Sequence, residues 1–414
     1  MEIFKVITSL IVLSAIFGFI NERFLKLPHT IGLMIIAIMF TLGIYITSFF
    51  NPALYQYLSD LVLSIDFETV LLDIMLGFLL FAGALHTNFD QLKVQRYPIL
   101  IFSTLGVISS TFLVAAMMYL TLILLGYPVA FIYCLLFGAL ISPTDPIAVL
   151  GILKKAQAPK KLETKIVGES LFNDGVGVVV FLTIFQIAQN AGAEIRIMDI
   201  GVLFVEEVVG GIILGLALGY ISYRLMRAID DYDIEVMITL AVVMGGSLLA
   251  HQLHVSGPLA MVAAGLVVGN DTIRGSVMSE VTEQYVDKFW ELLDLLLNAI
   301  LFVLIGLEIL VLHYENTYLL AGLIAIPLVL LARFISLLGP VKLLARKLDF
   351  VPNTTVIMTW GGLRGGISIA LALSLSSAME RDLFLMITYI VVAFAIIVQG
   401  LTIGGLIKRI GVTS

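Results

Sequence analysis

The sequence has few charged residues and almost no cysteine. Asp, Glu, Lys and Arg make up 13% of its 414 residues, about half the share that a soluble domain carries. The single cysteine, Cys134, excludes a disulfide framework or a thiolate metal site within one chain. No polar stretch is long enough to build a soluble domain, and no nucleotide-binding loop, hydrolytic triad or structural metal motif occurs. These absences argue against an enzyme, a cofactor and a nucleic-acid partner.

Long apolar runs take the place of the missing charges. Runs of about 20 residues recur along the whole chain, and each can cross roughly 30 Å of hydrocarbon. The predicted fold class is an all-α polytopic membrane protein with about thirteen transmembrane helices. The first run, Ile3 to Ile20, lacks a small-residue cleavage site and is interpreted as a retained helix. The ninth run is short and begins Ser-Gly-Pro, which suits a partial or steeply tilted span. The spans are placed near 3–20, 31–50, 69–86, 98–125, 129–151, 163–189, 201–225, 234–251, 256–270, 287–311, 318–340, 354–378 and 382–407.

Lys and Arg are distributed unevenly between the two sets of connecting loops. One set holds only Arg196 and Arg381. Cytoplasmic loops are enriched in basic residues, so the other set and the C-terminus are predicted to be cytoplasmic, in an inner or plasma membrane. An odd number of spans then places the N-terminus outside. The basic set contains Arg23, Lys26, Lys93, Arg96, Lys154, Lys155, Lys160, Lys161, Lys165, Arg224, Arg227, Arg274, Lys288, Lys342, Arg346, Lys347, Lys408 and Arg409.

Two carboxylates lie inside the sixth span, in the octet Gly-Glu-Ser-Leu-Phe-Asn-Asp-Gly at 168–175. A charge in hydrocarbon is costly, so such residues usually face a cavity or an ion path. Ser170 and Asp174 are four residues apart and share one helix face. Glu169 and Asn173 share the neighbouring face. A hydroxyl beside a carboxylate supplies the hard oxygen ligands that suit a small cation.

Arg333, inside the eleventh span, needs an anion because an unpaired buried guanidinium is very costly. Glu169 is its predicted partner, since both lie near mid-span, and Asp174 then remains available. Burial favours the neutral form of a carboxyl group, so Asp174 can hold a proton or a cation but not both, which is the competition an exchanger needs. An inert buried pair is the alternative for Asp174. Asp294 and Glu308, in the tenth span, are interpreted as interfacial or scaffold charges.

Two spans contain residues that interrupt helices. The fifth contains Ile-Ser-Pro-Thr-Asp-Pro at 141–146, where Pro143 and Pro146 each remove a helical donor. The twelfth contains Gly-Gly-Leu-Arg-Gly-Gly at 361–366. One break in each half of the chain predicts an inverted-repeat transporter with its site at the crossing. A packing kink with small residues is the alternative. Arg364 either caps carbonyls of a broken helix or lines a cytoplasmic funnel.

These motifs, with Ala-Arg-Phe at 332–334 and Trp-Gly-Gly-Leu-Arg-Gly-Gly at 360–366, resemble those of the monovalent cation:proton antiporters of the NhaP type. That family is related to the eukaryotic sodium/proton exchangers, and the resemblance covers essentially the whole chain. It implies a homodimer, inverted repeats with two crossed discontinuous helices, and an elevator-like core movement. It divides the chain into scaffold and dimer parts at 1–90 and 200–312 and core transport parts at 97–190 and 317–414, with broken helices at 129–151 and 354–378 and an ion-binding helix at 163–189.

The resemblance also implies roles for individual residues. Asp174 would bind the cation, Na⁺ or Li⁺, and the proton. Ser170, the backbone carbonyl of Thr144, and Asp145 would complete the cation site. Asn173 would tie the sixth span to the broken fifth. An Asn-Asp pair, where an electrogenic branch has Asp-Asp, implies one cation exchanged for one proton. The residues assigned to the broken helices and the funnel are Pro143, Pro146, Gly362, Arg364 and Gly365.

One position departs from the family pattern. Several relatives have Phe-Glu-Gly in the third span, where the Glu contributes to the cation site, and this chain has Phe81-Ala82-Gly83. A preference for Na⁺ over K⁺ therefore does not transfer, and a K⁺/H⁺ antiporter of the same fold is the alternative. A gated cation channel is a further alternative, although channels line a pore with rings from several subunits. The short stretch after Leu406 predicts that the large regulatory domain of the eukaryotic exchangers is absent.

Overall fold

The protein is helical in the computed structural model, and no strand occurs within the residues that it describes. The described residues are 2–63, 67, 69–145, 149, 151, 153, 159–189, 197–270, 279–310, 312–345 and 350–410.

The transmembrane helices agree in number with the spans predicted from hydropathy. Within the described ranges, nine helices are long and apolar enough to cross a membrane, and three shorter apolar helices accompany them. An interrupted pair near the C-terminus completes the thirteen spans. In chain order the helices are α1 (Phe4–Leu25), α2 (His29–Thr47), α3 (Thr69–Leu85), α4 (Arg96–Leu124), α5 (Phe131–Ile141), α6 (Lys160–Gln189), α7 (Phe204–Met226), α8 (Tyr232–Leu253), α9 (Gly257–Val268), α10 (Glu280–Leu310), α11 (Asn316–Leu344), α12 (Thr354–Trp360), α13 (Gly366–Leu373) and α14 (Arg381–Ile410).

The ninth span is a partial one, as its sequence allows. Ser256 Oγ accepts a hydrogen bond from the amide of Leu259 at 3.3 Å, and a proline lies in the first turn. Both features start a helix at this point. The helix has 12 residues and extends about 18 Å, which is shorter than the roughly 30 Å hydrocarbon core. It packs between α7, α3 and α8, so its ends are covered by protein.

The helices pack in two groups. The first, which we call the scaffold group, contains α1 to α3 and α7 to α10, with α9 packed closely on α7 and α3, and α2 on α10. The second, the core group, contains α4 to α6 and α11 to α14, with α4 packed on α5 and α11 on α14. Helix α6 also contacts α7 and α9, so it lies at the boundary between the groups.

Two discontinuous helices cross within the core group, as the sequence predicts. Helix α5 ends at Ile141 and is followed by the non-helical residues 142–145. Helix α12 ends at Trp360, and residues 361–365 separate it from α13. The backbone N–H of Asp145 donates to the carbonyl of Leu363 at 2.8 Å, which joins the two non-helical segments directly. Pro146, the second proline of the predicted break, lies outside the described residues.

Candidate functional site

The polar residues of the octet at 168–175 are buried on adjacent turns of α6. Their relative exposure is at most 7%. Gly177 lets this helix approach the broken segment, since a Cβ there would lie 2.1 Å from Pro143 Cγ. The octet therefore packs against the interruption of α5, and its buried polar residues are Glu169, Ser170, Asn173 and Asp174.

Asn173 and Ser170 satisfy the broken backbone at Thr144. Asn173 Oδ1 accepts from the Thr144 amide at 3.2 Å, and Asn173 Nδ2 donates to Thr144 Oγ1 at 2.9 Å. The Ser170 hydroxyl donates to the Thr144 carbonyl, and the two hydroxyl oxygens lie 3.1 Å apart. Buried backbone groups need hydrogen-bond partners. Helix α6 therefore supplies the partners that the Thr144 amide and carbonyl lose where the helix is interrupted.

Arg364 satisfies carbonyls of the other broken helix. Its Nη1 donates to the carbonyl of Ser142 and, at 2.8 Å, to that of Pro143. The side chain is 2% exposed and does not line the cavity described below. These hydrogen bonds match one of the two roles expected for Arg364, the carbonyl cap.

Glu169 and Arg333 form a buried ion pair between α6 and α11. Glu169 Oε1 lies 2.6 Å from Arg333 Nη1, and the two side chains are 1% and 2% exposed. Arg364 lies within electrostatic reach of both. The negative charge of Glu169 is therefore engaged by arginine, and the octet retains one further carboxylate, that of Asp174.

Two glycines of the second break permit the close crossing. A Cβ on Gly362 would lie 3.1 Å from Arg333 Nε and 3.2 Å from Thr144 Cγ2. A Cβ on Gly365 would lie 2.6 Å from Asp145 Oδ2. Side chains at either position would displace the groups that the crossing brings together.

A cavity of about 490 Å³ leads to this crossing between the scaffold and core groups. Thr144, Asp145 and Asp174 line its inner part, together with Gly365. Helices α3 and α10 form the scaffold wall, and α6 and α13 form much of the core wall. Polar residues of the α3–α4 connection and of the start of α6 line the opposite end, namely Thr87, Asn88, Gln91, Lys160, Glu163 and Thr164.

The inner end of the cavity offers oxygen donors of two kinds. Asp174 is 7% exposed, and Asp145 is the charged group that acts on it electrostatically. The Ser170 hydroxyl and the Thr144 carbonyl lie beside them. In the described part of the chain, no group of three or more His, Cys, Asp or Glu could hold a metal ion. Two carboxylates with a hydroxyl and a carbonyl suit a hard monovalent cation, or a proton on a carboxylate.

The sequence matches a known protein family over nearly its whole length. Residues 10–409 match the family described as sodium/hydrogen exchanger, transmembrane. The chain belongs to the sodium/hydrogen exchanger family.

Curated members of the exchanger family match over nearly the full length. The chain is 49% identical to the Na⁺/H⁺ antiporter NhaP of Pseudomonas aeruginosa, over 98% of this chain and 96% of the relative. It is 34% identical to the Na⁺/H⁺ antiporter NhaH of Halobacillus aidingensis, over 94% and 93%. The solved structure of the sodium proton antiporter MjNhaP1 from Methanocaldococcus jannaschii at pH 8 has a TM-score of 0.75, with 21% identity and 99% of each chain covered. That likeness shows that this chain has the fold of MjNhaP1.

The exchanger cavity also contains residues whose position the sequence did not indicate. Asp294 of α10, interpreted from the sequence as an interfacial or scaffold charge, lines the cavity on the scaffold side. Ala82 lines the cavity and is 1% exposed. Glu308, on the same helix as Asp294, is buried within electrostatic reach of Arg381 and does not line the cavity.

Proposed function

We propose that the protein is an electroneutral Na⁺/H⁺ antiporter that also accepts Li⁺. Asp174 binds the cation and the proton competitively. The position of Asp174 at the inner end of a cavity, with Glu169 already paired, is the observation that carries the proposal. The 49% identity to a Na⁺/H⁺ antiporter over nearly the whole chain supports the choice of ions.

In this proposal the cation is held by oxygen atoms from both broken-helix and α6 residues. Asp174 supplies a carboxylate, Ser170 a hydroxyl, Thr144 its backbone carbonyl, and Asp145 a second carboxylate, directly or through water. The hydrogen bond from Ser170 to the Thr144 carbonyl supports this set, because it holds two of the oxygens next to each other. Asn173 is a positioning residue that fixes Thr144.

Transport would follow alternating access by an elevator-like movement of the core group. The cavity lies between the scaffold and core groups, so a shift of one past the other would move Asp174 relative to the membrane. The contacts of Asn173 and Arg364 with the broken α5 favour movement of these elements as one unit. The scaffold group would form the homodimer. The cavity mouth, formed by the α3–α4 connection and the start of α6, and the C-terminus would face the cytoplasm of a bacterial cell, with the N-terminus outside.

Replacement of the central carboxylate tests the proposal. Purified protein in vesicles with an acidic interior should dequench a trapped pH dye when Na⁺ or Li⁺ is added, and Asp174→Asn should reduce this to the rate of empty vesicles. Glu291→Gln is a matched control, because it removes a carboxylate of α10 that is exposed and outside the cavity. Exchange by Asp174→Asn at the wild-type rate would refute the proposed role.

A K⁺/H⁺ antiporter of the same fold is the second candidate. Ala82 favours it, because the cavity wall has a methyl group where several relatives place a carboxylate. With fewer carboxylates the electric field at the cation site is weaker. A weaker field favours K⁺, which loses its water more easily than Na⁺. Initial dequenching rates with Li⁺, Na⁺, K⁺ and Rb⁺ decide between them, since only the second candidate responds fastest to K⁺. Cation flux without proton movement would instead identify a channel.

A further inference from the structure

Asp294 is a second carboxylate in the same cavity, and the exchange chemistry does not use it. It lies on α10 in the scaffold wall, whereas Asp174 lies on α6 in the core group. The two residues therefore belong to groups that the elevator mechanism would move relative to each other. Any role of Asp294 in transport would therefore be confined to the conformation in which one cavity reaches both Asp294 and Asp174.

The Asp294 carboxylate is held in place by its own helix. Asn298, one turn later, donates through Nδ2 to Asp294 Oδ1 at 3.0 Å and to the Asp294 backbone carbonyl at 2.8 Å. Asn298 is 3% exposed, and its Oδ1 has no hydrogen-bond partner among the described residues. The contact with Asp294 is thus what orients this amide, and the amide restricts the rotamers of the carboxylate.

The surroundings of Asp294 favour a cation. Within the described residues, no Lys, Arg or His nitrogen forms an ion pair with its carboxylate. His86 lines the same wall within electrostatic reach of Asp294, and its ring attracts the carboxylate when it is protonated. The Nδ1–H of His86 donates to the Ala82 carbonyl at 2.9 Å, which leaves Nε2 as an acceptor when the ring is neutral. A carboxylate and an imidazole acceptor match the water hydrogens of a hydrated monovalent cation.

We propose that Asp294 captures the hydrated cation on the static wall of the cavity, before the cation loses water and passes to Asp174. A negative charge in a cleft with low-dielectric walls raises the local concentration of cations. Asp294 is therefore a capture residue that acts on one face of the membrane. This inference rests on the proposed function and adds a second, weaker cation site to it.

Side-resolved kinetics of Asp294→Asn test the inference. Everted and right-side-out vesicles present opposite faces of the protein to added Na⁺. We expect Asp294→Asn to raise the apparent KM for Na⁺ about threefold to tenfold at the face of the cavity, with an unchanged maximal rate. At the other face the KM should equal that of the wild type. Asp294→Glu keeps the charge and should retain the wild-type KM, as should Glu291→Gln.

Several outcomes would overturn the inference. An unchanged KM at both faces, an equal rise at both faces, or an Asp294→Glu variant as impaired as Asp294→Asn would each do so.

A measurement on the wild type covers the case in which Asp294→Asn does not fold. Choline chloride screens charge and should raise the wild-type KM at the cavity face more than at the other, and equal sensitivity of both faces contradicts capture. A wild type with no Na⁺-dependent dequenching refutes the proposed function instead.

Discussion

At the scale of single residues, the site depends on two carboxylates of one helix having different surroundings. Glu169 is paired with Arg333 at 2.6 Å, whereas Asp174 lines the cavity beside Asp145. Among the described residues, Nε of Arg333 has no hydrogen-bond partner, and Nη1 faces the Glu169 carboxylate. The ion pair is thus the main compensation for burying those atoms, and the stability of the core depends on Glu169.

We expect Glu169→Gln to destabilise the protein by about 3–5 kcal/mol, because it leaves the guanidinium of Arg333 buried without its anion. The melting temperature in detergent measures this effect, and the apparent KM for Na⁺ should shift much less. Removing both charges in Glu169→Gln/Arg333→Met should restore part of the loss.

The exposed ion pair of Lys288 and Glu291 provides the control. Its atoms lie 2.8 Å apart, and both side chains are 63% exposed. Exposed pairs contribute little, so Glu291→Gln should melt at the wild-type temperature. A Glu169→Gln protein that melts with the wild type would show that the buried pair does not stabilise the core.

At the scale of helices, the sequence anticipated the interruptions because their cause is local. Proline at 143 removes a helical hydrogen bond wherever it occurs in a span, and the glycines at 361–366 weaken a helix through their backbone freedom. The helix Pro52–Leu63 was not predicted, because its 12 residues are too short for the bilayer criterion on which the spans were identified. The role of Arg364 also depended on the crossing, since its acceptors are 221 and 222 positions away in the chain.

The position of Asp294 illustrates the limit of periodicity. Asp294 and Glu308 are 14 residues apart on α10, close to four turns, so they share a helix face but differ in depth by about 21 Å. One lines the cavity and the other lies near Arg381. Depth relative to other helices is a property of the packed structure, and the hydropathy of α10 contains no information on it.

Close packing within the core group gives a prediction at this scale. Gly138 of α5 lies against α4, and a Cβ there would be 2.2 Å from the backbone oxygen of Thr111. Because neither backbone can yield independently, we expect Gly138→Ala to force the helices apart and destabilise the protein by about 1–3 kcal/mol. Detergent melting temperature is the measurement, and exchange rate should fall because α5 leads directly to Thr144.

Gly245 of α8 is the matched control. No atom lies within 4 Å of a Cβ built there, and alanine is favoured over glycine in a helix by roughly 0.5–1 kcal/mol. Gly245→Ala should therefore melt at or slightly above the wild-type temperature. If Gly138→Ala behaved in the same way, the contact between α4 and α5 would not be the close one described.

At the scale of the whole molecule, the proposed function makes one carboxylate responsible for the charge that moves. In the proposed cycle Asp174 would be neutralised by Na⁺ in one direction and by a proton in the other. Every other charge of the core group, including the Glu169 and Arg333 pair, is the same in both movements. The electrical work of the two movements then cancels over a cycle, and one Na⁺ is exchanged for one H⁺.

The end point of exchange should consequently be insensitive to membrane potential. One net charge per cycle would be worth about 2.3 kcal/mol at 100 mV, which corresponds to about a 50-fold change in the Na⁺ gradient at equilibrium. We expect vesicles clamped near 0 and 100 mV with K⁺ and valinomycin to reach the same end point, at which the Na⁺ ratio equals the H⁺ ratio. A potential-sensitive dye verifies the clamp in protein-free vesicles. A shift of the end point with potential would require a second titrating group in the cycle, and Asp145, next to Asp174 at the end of the cavity, would be the first residue to replace.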